Sequence, residues 1–507
     1  MTFSRRYRFL FLLVGFILLV SAASVSAARY QKKFLGQGTD EVTPYYIYDS
    51  KKPGPTVMVV GGVHGNEKAG AAAAEQVRSW TVERGKLVVL PKANPKGLQE
   101  NTRYIPGEIK TQRNLNRNFP KRDDPKAEPR GKLAARIWVL VKKTKPDWVI
   151  DLHEALEARA ADPKGLGNTV IAHSRGEADR VAQQICEAIN KQCPGIKAPF
   201  VKLKGDAQTF LASSAHGHLG SHTLIVETHR TKTPLSARVR HHRLAVYELL
   251  KHLDMVPKDA VPKATGDSSV QPFACVVRPE EKKGKTVVGL YDAKGTGGRG
   301  VPSLTKRFGP RRDVVLVPVG PLDIRDGILA NLDVIIFSGG SGSKQAAAIG
   351  EEGREAVRAF VKKGGGYIGI CAGSYLAMNN FSWSLKILDA KMVSPKWNRG
   401  RGTVEVEFTR LGQNLLKPAE KTTKILYHNG PIIEPDGDDS LPDYEVLAHF
   451  RTEVAKHGSP KGVMINSPAI VSARCGSGRV LCLSPHAEGS KNEAILDRAL
   501  RWVTPSR

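Results

Sequence analysis

Short apolar runs alternate with segments of helical periodicity along two long stretches of the chain. In the first stretch, the apolar runs predict strands at residues 56–60, 86–90, 147–152, 169–172 and 223–226, and the periodic segments predict helices at 67–80, 130–143, 177–190 and 237–253. In the second stretch, strands are predicted at 286–290, 313–317, 333–337, 366–370 and 479–483, and helices at 351–362 and 492–502. Strands that alternate with helices are typical of an α/β fold, in which helices cover both faces of a largely parallel sheet.

The alternation stops between the two stretches. Residues 256–284 contain four prolines separated by Gly, Asp, Ser and Lys, a composition that is typical of a linker. The sequence therefore predicts two domains, at residues 28–255 and 285–507, each long enough to bury its own apolar core.

The N-terminal segment has the pattern of a secretory signal. Arginines precede an unbroken apolar run at residues 9–20, and small residues then lead to a cleavage position after Ala27. We therefore expect residues 1–27 to be a signal peptide and the mature protein to be exported, to the periplasm or the extracellular space. An uncleaved membrane anchor is the alternative. The Arg5-Arg6 pair fits a twin-arginine signal only loosely.

Charge and cysteine content narrow the classes of partner and scaffold. The formal net charge of +28 over 507 residues attracts anionic partners, such as acidic polymers or a membrane surface. A basic surface that contacts only solvent is the alternative explanation of this charge. No motif for specific nucleic-acid recognition is present. Six cysteines in a chain of this length are too few for a disulfide scaffold.

Two predicted strands of the first domain end in side chains that bind metals. His64 and Glu67 follow the strand at 56–60, and His153 follows the strand at 147–152. Carboxyl ends of parallel strands meet at one edge of a sheet, so we expect these three side chains to lie together. Two histidines and one glutamate leave an open coordination position for water, which is the arrangement of a catalytic zinc site.

Five motifs around these residues carry a family resemblance. In chain order they are Gly61-Gly-Val-His64-Gly-Asn-Glu67, Asn101-Thr-Arg103-Tyr, Asn114-Leu-Asn116-Arg117-Asn-Phe-Pro, Asp151-Leu-His153-Glu and Ile225-Val-Glu227-Thr. Together they make residues 36–253 resemble the zinc carboxypeptidases and their relatives, the succinylglutamate desuccinylases and aspartoacylases. The resemblance implies a mixed sheet with flanking helices and a Zn²⁺ cofactor.

The resemblance also implies roles for four further residues. Glu227 matches the general base that moves a proton from water to the leaving amine. Arg103 matches the arginine that polarises the scissile carbonyl. Asn116 and Arg117 match the pair that grips the free carboxylate of a peptide or acyl-amino-acid substrate.

One departure from the aspartoacylases bears on the activity. Those enzymes carry a further β-rich domain after the catalytic glutamate, whereas here a helix and a linker follow Glu227. We therefore expect an open cleft and a carboxypeptidase or peptide amidase activity on an amide bond next to a free carboxylate. The alternatives are an N-acyl amino acid deacylase and a non-catalytic binding protein for acidic polymers.

The second domain contains a candidate nucleophile. Cys371 lies in a Gly-x-Cys-x-Gly turn between a strand and a helix, the pattern of a nucleophile elbow. His486 and Glu488 follow the last predicted strand and are placed to activate the thiol. The Gly-rich residues 338–342 are candidates for oxyanion-hole amides.

These pieces resemble the class I glutamine amidotransferase fold, which is flavodoxin-like, and most closely the amidotransferase-like N-terminal domain of some biotin–protein ligases. The matching motifs span residues 285–503 and include Gly364-Gly-Gly-Tyr-Ile-Gly-Ile-Cys371-Ala-Gly and Ser484-Pro-His486-Ala-Glu488. Because many relatives of this fold bind ligands without catalysing a reaction, both a Cys371–His486–Glu488 triad and a recognition domain stay open.

Overall fold

The protein is described here by a computed structural model of residues 30–505, apart from residues 160, 161, 174, 175, 194, 195, 197, 232, 257–281, 394, 395 and 490–493. The described residues form two compact units, one of residues 30–233 and 238–256, the other of residues 234–237 and 282–505. The predicted signal peptide and most of the predicted linker lie outside the described residues. Within the described part of the chain, no helix has the length and apolarity needed to cross a membrane.

The first unit is built on a mixed sheet. Its strands are β1 (Tyr30–Leu35), β2 (Thr43–Asp49), β3 (Thr56–Gly61), β4 (Lys86–Leu90), β5 (Trp148–Ala155), β6 (Thr169–Ala172), β7 (Val201–Lys204) and β8 (His222–His229). They lie in the order β1-β2-β4-β3-β5-β8-β6-β7. Strands β4, β3, β5 and β8 are parallel neighbours, while β1, β2 and β6 join the sheet through antiparallel pairs.

Helices cover this sheet through apolar faces. They are α1 (Lys68–Val77), α2 (Pro95–Glu100), α3 (Lys132–Thr144), α4 (Glu177–Gln192), α5 (Leu211–Leu219) and α6 (Leu235–His252). Helix α3 shows how the pattern works: Ile137 and Val141, four residues apart, are fully buried against Met58 of β3 and Val88 of β4. Burying one such aliphatic side chain contributes about 1.5–3 kcal/mol.

The parallel arrangement places three strand ends at one edge of the sheet. Gly61, the last residue of β3, pairs with Leu152 of β5, and the next residue of β5, His153, pairs with Glu227 of β8. Polar side chains at these ends therefore lie beside one another, although 74 residues separate His153 from Glu227 in the chain.

The second unit contains a nine-stranded sheet and a two-stranded sheet among its described residues. The strands are β9 (Thr286–Tyr291), β10 (Val314–Val319), β11 (Val334–Phe337), β12 (Gly366–Ile370), β13 (Lys391–Met392), β14 (Arg401–Phe408), β15 (Thr422–His428), β16 (Ile433–Glu434), β17 (Glu445–Phe450), β18 (Pro468–Cys475) and β19 (Gly478–Leu483). The large sheet has the order β10-β9-β11-β12-β19-β18-β17-β14-β15, and β13 pairs with β16. Its helices are α7 (Gly300–Phe308), α8 (Pro321–Arg325), α9 (Gly342–Lys362), α10 (Ala372–Ala377), α11 (Arg410–Leu416) and α12 (Ala494–Val503).

The predicted fold class, α/β with two sheet-containing regions, is confirmed. The prediction of a largely parallel sheet holds for β10-β9-β11-β12-β19 and is wrong for β18, β17, β14 and β15, which are antiparallel. Helix α9 begins nine residues before its predicted start, because it continues through a kink at Gly350, where φ is +72°.

Candidate metal centre and catalytic site

Three predicted ligands converge at the edge of the first sheet. Glu67 lies between the two histidines: its Oε1 is 2.8 Å from His64 Nδ1, and its Oε2 is 2.9 Å from His153 Nδ1. One ligand atom from each residue lies within 4.8 Å of the other two, and all three side chains are buried. Within the described residues, the structure thus brings together the group that the strand ends predict.

A tight turn after β3 presents His64 and Glu67. The Glu67 amide donates to the His64 carbonyl at 3.2 Å, so the two side chains lie on the same side of the turn. Gly65, between them, has no room for a side chain, because a Cβ there would lie 1.9 Å from the carbonyl carbon of Gly97.

The second nitrogen of each histidine ring has its own polar neighbour. His153 Nε2 lies 2.9 Å from Asp151 Oδ2 and 3.3 Å from the Asn116 amide nitrogen, while His64 Nε2 lies 3.2 Å from Asn114 Oδ1. Such contacts fix the orientation of an imidazole and leave its other nitrogen to face a ligand.

The surroundings shift the pKa values of the three groups in different directions. Burial lowers the pKa of His64 against the opposing attraction of Glu67. For His153, burial disfavours the charged form, but Asp151 and Glu67 raise its pKa well above the ordinary value. Burial also opposes ionisation of Glu67, yet hydrogen bonds to His153 and His64 hold its pKa far below the usual range, so this carboxylate stays ionised.

Glu227 lies beside these residues at the end of β8, directly opposite His153 in the sheet register. Burial raises its pKa to about 8; Glu67 acts in the same direction, and His153 and Arg103 oppose it. No described residue hydrogen-bonds its buried Oε2 atom. An unpaired carboxyl oxygen with a raised pKa fits a proton-transfer group.

The three predicted substrate-contacting residues occupy different environments. Arg103 donates from Nη1 to Glu67 Oε1 at 2.6 Å and is 40% exposed. Arg117 is exposed, with its guanidinium 4.3 Å from the centre of the Phe210 ring. Asn116 is buried: its side-chain oxygen accepts from the Leu211 amide at 3.0 Å. Arg117 is therefore accessible to a ligand, whereas the side-chain oxygen of Asn116 is already used in a hydrogen bond within the protein.

Glu154 has no predicted role in the site, but its side chain links β5 to the helix that follows Glu67. Its side chain is fully buried; Oε2 accepts the Ala69 amide at 2.8 Å, and Oε1 contacts the guanidinium of Arg238. Ala69 belongs to the first turn of α1, so a carboxylate there satisfies an amide that has no partner within the helix. The alternation of side chains along β5 predicts that Glu154 points away from His153, but not that it meets α1.

The donor set fits a zinc ion. Two imidazole nitrogens and one carboxylate are ligands that zinc accepts together, and the polar neighbours of the ring nitrogens are those of metal-binding histidines. The unpaired oxygen of Glu227 adds a polar atom that the fold itself does not use.

In the second unit, the structure also brings together the three predicted residues of the cysteine site. Cys371 follows β12 with φ +51° and ψ −98°, a strained conformation for a residue other than glycine. His486 Nδ1 lies 2.8 Å from Glu488 Oε1, whereas the thiol of Cys371 donates to the backbone oxygen of His428 at 3.3 Å.

Comparison with known proteins gives two family matches. Residues 53–253 match the succinylglutamate desuccinylase/aspartoacylase catalytic domain, and residues 328–397 match the N-terminal domain of biotin-protein ligase. No curated protein sequence matches the chain.

Several solved structures resemble part of the chain. The apo cell shape determinant Csd4 of Helicobacter pylori is 21% identical, with 45% of this chain and 55% of that one covered at a TM-score of 0.36. Its mDAP-bound form, described as a D,L-carboxypeptidase, is 22% identical, with 40% and 54% covered at 0.34. The succinylglutamate desuccinylase/aspartoacylase of Rhodobacter sphaeroides is 21% identical, with 45% and 66% covered at 0.33. The chain spans about half the length of the Csd4 structures that it matches.

The two family matches confirm the predicted resemblances, and the first indicates a hydrolase of the deacylase type. Over residues 53–253 the chain is similar to the succinylglutamate desuccinylase/aspartoacylase catalytic domain, and over residues 328–397 it is similar to the N-terminal domain of biotin-protein ligase.

Proposed function

We propose that the first unit is a zinc-dependent hydrolase that cleaves an amide bond next to a free carboxylate, as a carboxypeptidase or peptide amidase does. The observation that supports this proposal most strongly is the convergence of His64, Glu67 and His153, with the unpaired Oε2 of Glu227 beside them. A zinc ion held by the first three residues would supply an electrophilic centre that makes water nucleophilic near neutral pH.

The chain's own residues would move the protons. Glu227 takes a proton from the attacking water and delivers it to the leaving amine. A carboxyl with a pKa raised to about 8 suits both steps, because it gains and loses a proton near neutral pH. Arg103 stabilises the negative charge that develops on the carbonyl oxygen. For this role its guanidinium must donate a hydrogen bond to the substrate in addition to, or in place of, the one that it donates to Glu67.

Arg117 would select substrates with a free carboxylate. Its guanidinium packs over Phe210 and donates from Nη1 to the backbone oxygen of Asn116 at 2.8 Å, so one end of the planar fork is fixed. A guanidinium held in this way binds a carboxylate in a defined orientation.

The family match favours a second candidate function, because the family is named for enzymes that remove acyl groups from amino acids. An N-acyl amino acid deacylase would use the same three ligands and the same base. The two functions differ in whether the scissile amide joins two amino acids or joins an acyl group to one amino acid.

Metal analysis and a substrate screen test the proposal together. We expect one zinc per purified mature chain and none in His64→Ala or His153→Ala, with hydrolysis abolished by a chelator and restored by zinc. The screen compares C-terminal peptides and muropeptides with N-acyl amino acids, and preferential hydrolysis of the latter would favour the deacylase. Full zinc occupancy in both variants would contradict the ligand assignment. A zinc-loaded protein without hydrolysis would favour the binding-protein alternative.

We also propose that residues 1–27 direct export and are removed after Ala27. The arginine-led apolar run supports this proposal. Mass spectrometry of the N-terminal peptide from cell fractions tests it: we expect a mature N-terminus at Ala28 outside the cytoplasm. A protein that retains Met1 in the cytoplasmic fraction would contradict export.

A further inference from the structure

His229 lies two residues beyond Glu227 on β8 and has no part in the site described above. Residues two apart on a strand share a face, so His229 lies on the same face as Glu227 and His153, which pair in the sheet register. His229 is only 9% exposed, yet its buried Nε2 atom has no hydrogen-bond partner among the described residues. A buried polar atom without a partner is uncommon in a folded protein and indicates a place for a ligand or a water molecule.

The backbone of His229 is held in place by its neighbours. Its amide donates to Asn168 Oδ1 at 3.0 Å, and the Nδ2 atom of Asn168 donates to the Ala198 carbonyl at 2.6 Å. A Cβ on Gly167 would lie only 3.0 Å from the Cα atom of His229, so the glycine allows the two segments to approach closely. The fold therefore fixes the position of His229 through its backbone and leaves Nε2 of the ring unused.

A second unused polar atom lies on the turn between the candidate ligands. Asn66 directly precedes Glu67, and its buried Oδ1 atom has no hydrogen-bond partner in the described part of the chain. Arg230, the residue after His229, donates from Nη1 to the backbone oxygen of Asn66 at 2.8 Å. This hydrogen bond links the end of β8 to the turn, so His229 and Asn66 lie on neighbouring segments at the edge of the sheet that carries the candidate ligands.

The two unused atoms are complementary to one peptide unit. The Oδ1 atom of an asparagine only accepts hydrogen bonds, and Nε2 of a neutral imidazole donates one when it carries the proton. A peptide unit offers one N–H group and one carbonyl oxygen, which need one acceptor and one donor. An acetyl or succinyl group on an amino acid has no further N–H group to offer.

The spacing along β8 indicates which peptide unit this is. Two residues along a strand span about 6.6 Å. Adjacent units of a bound peptide are about 3.8 Å apart, and a hydrogen bond adds about 2.9 Å. With Glu227 beside the scissile amide, His229 is therefore placed to contact the amide one unit further along the substrate.

We propose that His229 and Asn66 bind the amide that precedes the scissile one, so that the preferred substrate is a peptide with at least two amides and a free C-terminal carboxylate. His229 donates from Nε2 to the carbonyl oxygen of the preceding amide, and Asn66 Oδ1 accepts its N–H group. Neither residue takes part in bond cleavage. This inference rests on the proposed function of the first unit and selects a peptide over an N-acyl amino acid as its substrate.

Matched substrates test this inference in the zinc-loaded mature chain. The pair is N-acetylalanyl-X and 2-methylpentanoyl-X, which have the same length and branching and differ in the amide that precedes the scissile one. X is alanine, glutamate, lysine or phenylalanine in both members, and release of free X is measured. A net hydrogen bond is worth about 0.5–1.5 kcal/mol, so two of them should make kcat/KM about 10- to 100-fold higher for the N-acetylalanyl compound.

Variants of His229 separate substrate binding from a structural role. His229→Ala should lower kcat/KM for N-acetylalanyl-X by about 3- to 10-fold and leave 2-methylpentanoyl-X unchanged, because only the former loses a hydrogen bond. His229→Gln keeps a donor and should retain most of the preference. His222→Ala, which removes an imidazole from the opposite end of β8, should leave the preference unchanged.

An ester probe tests Asn66 separately. O-acetyl-lactyl-X keeps the carbonyl oxygen of the preceding unit and replaces its N–H group by oxygen. We expect Asn66→Ala to lower kcat/KM for N-acetylalanyl-X by about 3- to 10-fold and to leave O-acetyl-lactyl-X unchanged. Zinc content is measured in the same preparations, because Asn66 adjoins a candidate ligand.

Two outcomes would overturn this inference alone. One is equal kcat/KM of the wild type for the matched pair, and the other is an equal loss for both members in His229→Ala. Zinc-loaded protein that hydrolyses neither compound for any X would contradict the proposed function itself, and the inference with it.

Discussion

Two carboxyl groups of the first unit lie within one site and differ in protonation because their neighbours differ. Glu67 has two imidazoles, the guanidinium of Arg103 and the Glu154 amide around its oxygens, which stabilises its ionised form. Glu227 has a buried oxygen without a hydrogen-bond partner among the described residues, and burial raises its pKa. A difference in pKa between two neighbouring carboxyl groups allows one of them to bind a metal while the other transfers protons.

Replacing Glu227 with Gln is expected to separate catalysis from metal binding. The variant loses the proposed base but none of the three candidate ligands, so it should keep one zinc per chain while kcat falls by about 10²–10⁴-fold. Metal analysis and steady-state kinetics on the same preparation measure both quantities. Retained turnover would place the base elsewhere, and lost zinc would make Glu227 a ligand.

Arg117→Ala is expected to affect substrates according to their charge. Hydrogen bonds to charged groups are worth about 1.5–3 kcal/mol, so KM should rise roughly 10- to 100-fold for a peptide with a free carboxylate and little for the corresponding amide. Arg113→Ala, a nearby arginine that stacks on Tyr104, serves as the control. Equal changes for both peptides would contradict a carboxylate-binding role.

At the residue scale, the sequence predicts side chains that come together because they follow neighbouring strands. It does not predict contacts made by loops that are distant in the sequence. His64, Glu67 and His153 come together because parallel strands end at one edge. Asn114 reaches His64 from a loop 50 residues away, and no periodicity reports such a contact. The pairing of Arg103 with Glu67 is a further contact that the motif alone does not reveal.

Strand β5 shows how one element serves two purposes. Asp151 and His153, two residues apart, lie on one face and contribute to the candidate metal site; Glu154 points to the other face and caps α1. The third candidate ligand, Glu67, directly precedes α1. Anchoring the start of α1 to β5 therefore also fixes the position of Glu67 relative to His153.

We expect Glu154→Ala to destabilise the first unit by about 3–5 kcal/mol, because it leaves the charge of Arg238 in a largely buried position without this partner. Glu75→Ala, which removes a more exposed partner of Arg78 on α1, should cost less than about 0.5 kcal/mol. Urea midpoints, together with amide hydrogen exchange of residues 68–77, measure the difference. Similar effects of the two substitutions would contradict the anchoring role of Glu154.

Elements are predicted best where a strand is apolar on both faces. Strands β4, β6 and β12 have the predicted bounds, since each is a short run of mostly buried residues that follows a glycine or an asparagine. Strand β14 is not among the predicted strands, although its buried Val404, Val406 and Phe408 alternate with more exposed residues. Apolar and polar residues alternate along it, as they do in an antiparallel strand that is covered on one face only. Strands of this kind contain no continuous apolar run and are not found by looking for one.

At the scale of the whole molecule, the net charge of +28 predicts adsorption to anionic polymers that weakens as salt screens it. This field acts on any polyanion and so does not identify a substrate. The two candidate sites are more specific, and each is formed by residues of one unit: the candidate ligands and Glu227 in the first, the cysteine site in the second.

Because the two sites share no residue, we expect their chemistries to be blocked independently. Chelation should abolish zinc-dependent hydrolysis and leave the alkylation rate of Cys371 by iodoacetamide unchanged, whereas Cys371→Ser should leave zinc content and peptide hydrolysis unchanged. In the same experiment, Cys371, which lines a cavity, should react faster than Cys482, which lies in the apolar core, although both are buried. His486→Ala should slow the reaction of Cys371, because it removes the imidazole that interacts with this residue. Quantitative mass spectrometry of alkylated peptides, followed over time with and without chelator, gives both rates from one sample. A change in Cys371 alkylation on zinc removal, with the fold intact by circular dichroism, would show that the two sites are coupled and would contradict their independence.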